Sequence, residues 1–494
     1  MNRTLIRIVV ALALVLLITH TALTWEISPG LPPFGSFSGG PFDIVNNANL
    51  NVHFEIPILN KDGRGLPFSY PDFYNSTVWE PFSSWAPVFD WGWPRGVNEP
   101  TFGSAEYGTT QGSCTSGGTT YYYNIYSSWN YVSPPSHGGS LASFSVTVSD
   151  ASIGTPCTGA PPYSATATAT DGSGITIAVT AQPAATIYFR SGDSLNPLYS
   201  GGTFGPLTDT NGNQITDPQG AIIDTLGITT ISGFGSGTAS SPITIQYPNA
   251  AGSTSTFTVN YTTYTVQTNF GCSGISEYGP NSVDLVSSIV LPDNTSYSFT
   301  YEVTPGDAHS PHYVTGRLAS ITLPTGGTIS YGYTGGNNGI ICADGTTAGL
   351  TRTTPDGTWT YTRSGAGSTW STTITDPQGN QTVLNFQGIY ETERQVYQGS
   401  STSGTLLDTV YTCYNGAAYP CNSASITLPI TQLTKTNSWA SGQTSQTVTS
   451  YNTYGLPTEV DEYGYGSGSP GGLVRKNLTS YASLGNNIND RTTP

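Results

Sequence analysis

Between residues 100 and 270, short runs such as LASFSVTVSD, YSATATAT, ITIAVTA, ATIYFRSG, PITIQY and STFTVNYTTYTV are separated by Gly, Pro, Asn or Asp at intervals of roughly ten residues. Thr, Val, Ile and Tyr crowd the preceding turn of a helix with their branched or ring-bearing side chains, whereas a pleated strand accommodates them. Gly and Pro at this frequency also break a helix before it reaches useful length. An all-β fold follows, and the spacing matches that of a sandwich or barrel. The scarcity of charge agrees: Asp, Glu, Lys and Arg make up only 9% of the chain, so the lysine- and glutamate-rich amphipathic stretches of surface helices are missing. Aromatic residues, at 12%, are too frequent for a disordered chain and are expected to supply much of the buried area.

The alternation in NLNVHFEIPI sets Leu50, Val52, Phe54 and Ile56 on one face and Asn51, His53 and Glu55 on the other. That period of two predicts a half-buried strand with His53 facing solvent. Residues 25–41 (SPGLPPFGSFSGGPF and its flanks) read as an extended Gly/Pro/Ser-rich leader, with order beginning near Phe42. Residues 42–280 read as a β-sandwich-like head, with a soft boundary between Phe270 and Asn281. Beyond it an internal repeat appears. SIVLPDNTSYSFTY (288–301) aligns without gaps on SITLPTGGTISYGY (320–333), matching Ile289 with Ile321, Leu291 with Leu323, Pro292 with Pro324, Ser298 with Ser330 and Tyr301 with Tyr333. Each copy reads as strand, Pro-started turn, strand. A partial third copy opens at SITLPIT (425–431), and Asp-Pro-Gln-Gly turns recur at 217–220 and 376–379. The hairpin repeats are assigned to 281–475 and a polar tail to 476–494.

Arg3 and Arg7 precede an uninterrupted apolar run from Ile8 to Ile18, which is signal-peptide length and short for a bilayer span. Residues 1–24 are therefore expected to direct export, as a cleaved signal or, because Ala22-Leu23-Thr24 is a poor cleavage site, as an N-terminal anchor that would be the chain's one link to a membrane. In an oxidising compartment six cysteines are expected to pair. Asn415, Gly416 and Pro420 make the loop between Cys413 and Cys421 a hairpin that brings those two together. Chain order favours Cys114 with Cys157 and Cys272 with Cys342 among the fifteen pairings six cysteines allow. The net charge of −16 argues against nucleic acid as a partner.

Gly316-Arg317-Leu318-Ala319-Ser320-Ile321, followed by Gly326-Gly327 and Tyr331-x-Tyr333, resembles the repeating unit of bacterial YD-repeat (RHS-type) proteins. Tyr451-Asn452-Thr453-Tyr454-Gly455-Leu456-Pro457-Thr458-Glu459-Val460 resembles the same unit with Asn452 in place of the eponymous Asp. The segment NANLNVHFEIPILNKDGRGLPFSYPDFYNSTVW is similar to the N-terminal region of long secreted members. The resemblance implies a spiralling, solenoid-like sheet of hairpins that wraps into a shell. It also implies a structural or adhesive role, with cell-surface carbohydrate or an envelope protein as ligand. Full-length relatives often end in an RHS core and a toxin domain, of which this sequence carries neither, so the N-terminal shell piece of a polymorphic toxin is the alternative reading.

Residues fit for catalysis are sparse. No Gly-x-Ser-x-Gly elbow occurs. His53, His137, His309 and His312 are the histidines outside the export segment. Pro311 denies His309 and His312 a helix, and only Asp307 stands near them. Asp209-Thr-Asn211-Gly-Asn213 lacks the Gly and the terminal Glu of a calcium loop and reads as a turn. Glu80, Asp90, Glu99, Glu391 and Glu393 are nominees for a glycosidase pair, with nothing in their spacing to select two of them. Trp79, Trp85, Trp91 and Trp93 are candidates for stacking on sugars, against the commoner use of such a cluster as an aromatic core. The expectation is a non-catalytic scaffold without metal or cofactor, with a glycan-active enzyme as a further alternative.

Overall fold

The sequence order of the strands is also their order in space. From Ser164 to Leu478, 24 strands among the described residues form one sheet in which each strand pairs with the next along the chain. These pairings are antiparallel, so the fold is all-β. The computed structural model describes residues 31–93, 102–133, 141–153, 155–196, 204–217 and 221–481. The export segment, His137, Glu99 and the tail beyond Tyr481 lie outside them.

A shared turn explains why this sequence makes hairpins. Asp209, Asp224, Asn249, Asp376 and Asn452 each donate their backbone N–H to the carbonyl four residues on. In each loop the Asx Oδ1 accepts the N–H groups two and four residues ahead, at 2.8 to 3.1 Å. The third residue after each is a glycine with φ between 64° and 83°, a conformation that a Cβ disfavours. Asn452 makes the same two bonds as the aspartates because only an acceptor oxygen is required. Asp209 accordingly spends its carboxylate on a turn.

The offset-32 repeat is structural as well. The Tyr301 hydroxyl donates to the Val286 carbonyl at 2.7 Å, and the Tyr333 hydroxyl donates to the equivalent Leu318 carbonyl at 2.9 Å. Gly316-Arg317-Leu318 divides its work residue by residue. Leu318 is fully buried. Arg317 Nε lies 2.8 Å from Glu302 Oε2, and its guanidinium sits 4.1 Å from the centroid of the Tyr333 ring.

The ladder does not pause at the expected boundary. Strand Thr254–Val266 pairs with Asn281–Val290 from Thr258 opposite Val290 to Val266 opposite Asn281, so head and repeats share one sheet. Two smaller sheets pack on it. One contains the long hairpin Ser104–Ser116/Thr119–Val132, whose Trp129 and Tyr131, with Phe144 of the adjoining strand Leu141–Phe144, meet Ile177, Val179 and Ile187 of the large sheet, a sandwich-like contact. The other consists of β1 (Phe37–Gly39), β2 (Asp43–Asn46), β3 (Val52–Lys61) and β4 (Phe68–Asn75). It sets Val45, Val52, Phe54, Ile56 and Tyr74 against Ile289, Phe299, Leu318 and Ile321. Each such side chain, fully buried, contributes about 1.5–3 kcal/mol.

Four expectations need correction. His53 is buried, because the outward face of β3 is covered locally: its ring stacks on Phe73, and Nδ1 lies 3.1 Å from Asn75 Oδ1. The leader is ordered by Phe37, where β1 pairs with β2. The last strand runs to Leu478, past the assigned start of the tail. Trp79, Trp85 and Trp93 are buried and Trp91 is half-buried, in contact with one another's neighbours: Trp79 with Trp91, Trp85 with Phe270, Trp93 with Phe299. Stacking on a sugar needs an open ring face, so these four form core and not a platform.

A cleft beneath the N-terminal strand as candidate functional site

Buried polar contacts hold the N-terminal strands across the large sheet. Asp43 at the start of β2 accepts Arg352 Nε at 2.7 Å and the Tyr331 hydroxyl at 2.9 Å, and Arg352 Nη2 closes the second prong of the pair. The Thr372 hydroxyl donates to the Asn47 carbonyl at 2.7 Å. Phe34 meets Tyr451 edge-on with ring centroids 5.5 Å apart. The Ser36 hydroxyl reaches Glu391 and the Ser38 hydroxyl reaches Tyr361, so residues 34–39 form a bridge across one face of the strands between Gly357 and Trp439.

Register determines which side chains floor the cleft. Directly paired residues share a face, so one row runs Tyr361, Ile374, Thr382, Val396 and the next runs Thr372, Leu384, Arg394, Val410, Asn437. On one side of the bridge lies a cavity of about 610 Å³, lined among others by Ser38, Trp359, Tyr361, Gln381, Arg394 and Tyr397. On the other lies one of about 420 Å³, lined by Ser36, Glu391, Arg394, Thr412, Tyr414 and Lys435 among others. Phe37 and Arg394 belong to both, so they mark the waist of a two-lobed cleft.

Arg394 is fixed by a two-pronged pair with Glu391, Nε to Oε1 at 2.8 Å and Nη2 to Oε2 at 2.7 Å. The Ser36 hydroxyl donates to the same Oε2. Hydrogen bonding to Glu391 pushes the Arg394 pKa further up despite partial burial. Asp376, at the rim of the larger lobe, accepts the Gln378 and Asn380 N–H groups on Oδ1 and the Asn380 side chain on Oδ2. Burial raises its pKa, but these donors outweigh it and hold the group below the usual carboxylate range. Burial pushes the Tyr414 and Tyr361 hydroxyls up, which keeps them neutral donors. Planar donors, hydroxyls and half-buried rings suit a polyhydroxylated ligand, with Arg394 at the waist and Lys435 in the smaller lobe.

The glycosidase nominees are not brought together. Glu391 sits in the cleft, with both oxygens accepting hydrogen bonds. Glu393, the next-but-one residue, is buried and receives Asn385, Asn422 and Gln395. Glu80 is exposed on the short strand Trp79–Pro81, and Asp90 lies in a turn at φ 52°. Asp307 lies 2.5 Å from His309 Nδ1 and 3.1 Å from His312 Nδ1 in an exposed loop, and among the described residues no three His, Cys, Asp or Glu side chains are grouped to hold a metal ion. Apart from Glu391, the cleft residues were missed from sequence. The available signal was Arg394 and Lys435, two mid-strand cations in step with Val396 and with Leu433 in a chain poor in charge.

All six cysteines pair as chain order favoured, Cys114 with Cys157, Cys272 with Cys342 and Cys413 with Cys421. Three disulfides are compatible with an extracellular protein. Among the described residues no helix is long and apolar enough to cross a membrane. The sequence matches no protein-family model and no curated protein.

Proposed function

We propose that this chain is an exported, non-catalytic β-scaffold of the YD/RHS-repeat type that binds carbohydrate in the cleft under β1. The observation that carries the reading is the larger lobe, whose lining sets the half-buried Trp359 on the same sheet face as Tyr361 and Arg394, together with Asn47 and Ser38. Aromatic faces pack against the C–H surface of a sugar, while planar amide and guanidinium donors take its hydroxyls. The disulfides and the apolar N-terminal run support export, and the Gly316–Ile321 and Tyr451–Val460 segments support the repeat type. The cleft's carboxylates favour binding over hydrolysis, since Glu391 and Asp376 are both engaged as hydrogen-bond acceptors and the donors around Asp376 hold its pKa below the usual carboxylate range.

The experiment is a glycan array probed with the purified protein and with Trp359→Ala, accompanied by a reducing-end release assay on every bound glycan. The reading expects a discrete set of bound glycans, at least tenfold weaker binding by the variant, and no release. No bound glycan, or release lost in Glu391→Gln, overturns it.

A further inference from the structure

Resting on the cleft reading, we infer that the smaller lobe takes an anionic group of the sugar chain, a uronate carboxylate or a sulfate ester. Among the described residues Lys61, Arg317, Arg352, Arg394, Arg475 and Lys476 each hold a carboxylate. Lys435 holds none. It is exposed in the middle of the strand Gln432–Trp439, between Thr412 and Thr447 on the neighbouring strands, and lines the 420 Å³ lobe. Arg394 lines the same lobe and is 38% exposed. Its Nε and Nη2 carry the contacts to Glu391 and Ser36, which leaves Nη1 with two N–H donors for a ligand.

Glu391 already offsets the charge of Arg394, so the lobe retains the uncompensated charge of Lys435 in a protein of net charge −16. An ammonium and a guanidinium edge lining one lobe can each take an oxygen of a two-oxygen anion. Its isolation on an acidic surface also focuses anionic ligands onto this lobe. A sugar anion fits better than an acidic peptide. Strands Tyr390–Gln398, Thr405–Tyr414 and Gln432–Trp439 are paired on both sides, so the floor offers no free edge to a peptide backbone.

The test is calorimetric titration of the full protein with oligogalacturonate, a sulfated galactan oligomer, a neutral xylo-oligosaccharide and polyglutamate at two salt concentrations. Expected is at least tenfold tighter binding of one anionic sugar than of the neutral one, weakening with salt. Lys435→Ala loses about tenfold on that ligand and Lys435→Arg keeps it. Arg64→Ala, an exposed cation outside the cleft, changes nothing, and unchanged thermal unfolding of the Lys435 variants excludes misfolding. Equal affinity for neutral and anionic sugars, or no effect of Lys435→Ala, overturns the inference while leaving the cleft reading intact. Polyglutamate bound as tightly as the sugars also overturns it. No sugar bound at all overturns the cleft reading with it.

Discussion

Asp43 and Arg352 form a buried ion pair across 309 residues of chain, with Arg352 Nε 2.7 Å from Asp43 Oδ2. Neither side chain is more than 5% exposed. Removing one partner leaves the other charge buried without compensation. Asp43→Ala is expected to cost about 3–5 kcal/mol, whereas Asp43→Leu with Arg352→Met recovers most of the loss. Chemical denaturation of the single and double variants measures both. Equal destabilisation by the single and double changes would show that the pair does not act as a unit.

Gly316 adopts φ 83°, and a Cβ there would lie 2.7 Å from the Trp91 ring. Gly316→Ala therefore meets two obstacles, an unfavourable backbone conformation and an occupied site. A loss of about 1–3 kcal/mol is expected. Adding Trp91→Ala removes only the steric part, so thermal unfolding of the double variant should fail to show additive losses.

Asp72 on β4 is buried, and desolvation, opposed only by the Phe73 N–H, raises its pKa from 3.8 to about 7. An acid whose folded pKa is raised contributes stability that is fully present below pH 3.8 and is lost as pH rises towards 7. Asp72→Asn should raise the unfolding midpoint at pH 8 and leave it nearly unchanged at pH 4. A gain of equal size at both pH values would contradict the assignment.

The three disulfides close loops of unequal length, 70 residues between Cys272 and Cys342 against 8 between Cys413 and Cys421. In the chain-entropy account the longer loop is worth about 2 kcal/mol more. Denaturation midpoints of the two paired Cys→Ser variants are expected to fall in that order.

Local pattern made much of the fold legible. Thr and Tyr runs between Asx-x-x-Gly turns specify hairpins, and a meander of hairpins needs no long connection. Leu291, Leu323, Tyr301 and Tyr333 announced the repeat because the same contacts recur along the sheet. What local pattern cannot carry is who covers whom. His53 looked solvent-facing because its shield, Phe73 and Asn75, lies on another strand. Phe37 and Arg394 meet only after the N-terminal strands dock on a distant part of the sheet, so neither marks a site from its own surroundings. The tryptophan cluster drew notice for its composition, and packing against Tyr278, Phe270 and Phe299 of the large sheet and its connections buries three of its four rings.

Hydrogen–deuterium exchange with and without the tightest glycan from the array tests the cleft most directly. Protection confined to residues 34–39, 357–366, 381–398, 405–414 and 432–439 is the predicted result. Protection centred on the Thr119–Val132 hairpin arm, with those segments unchanged, would contradict the account.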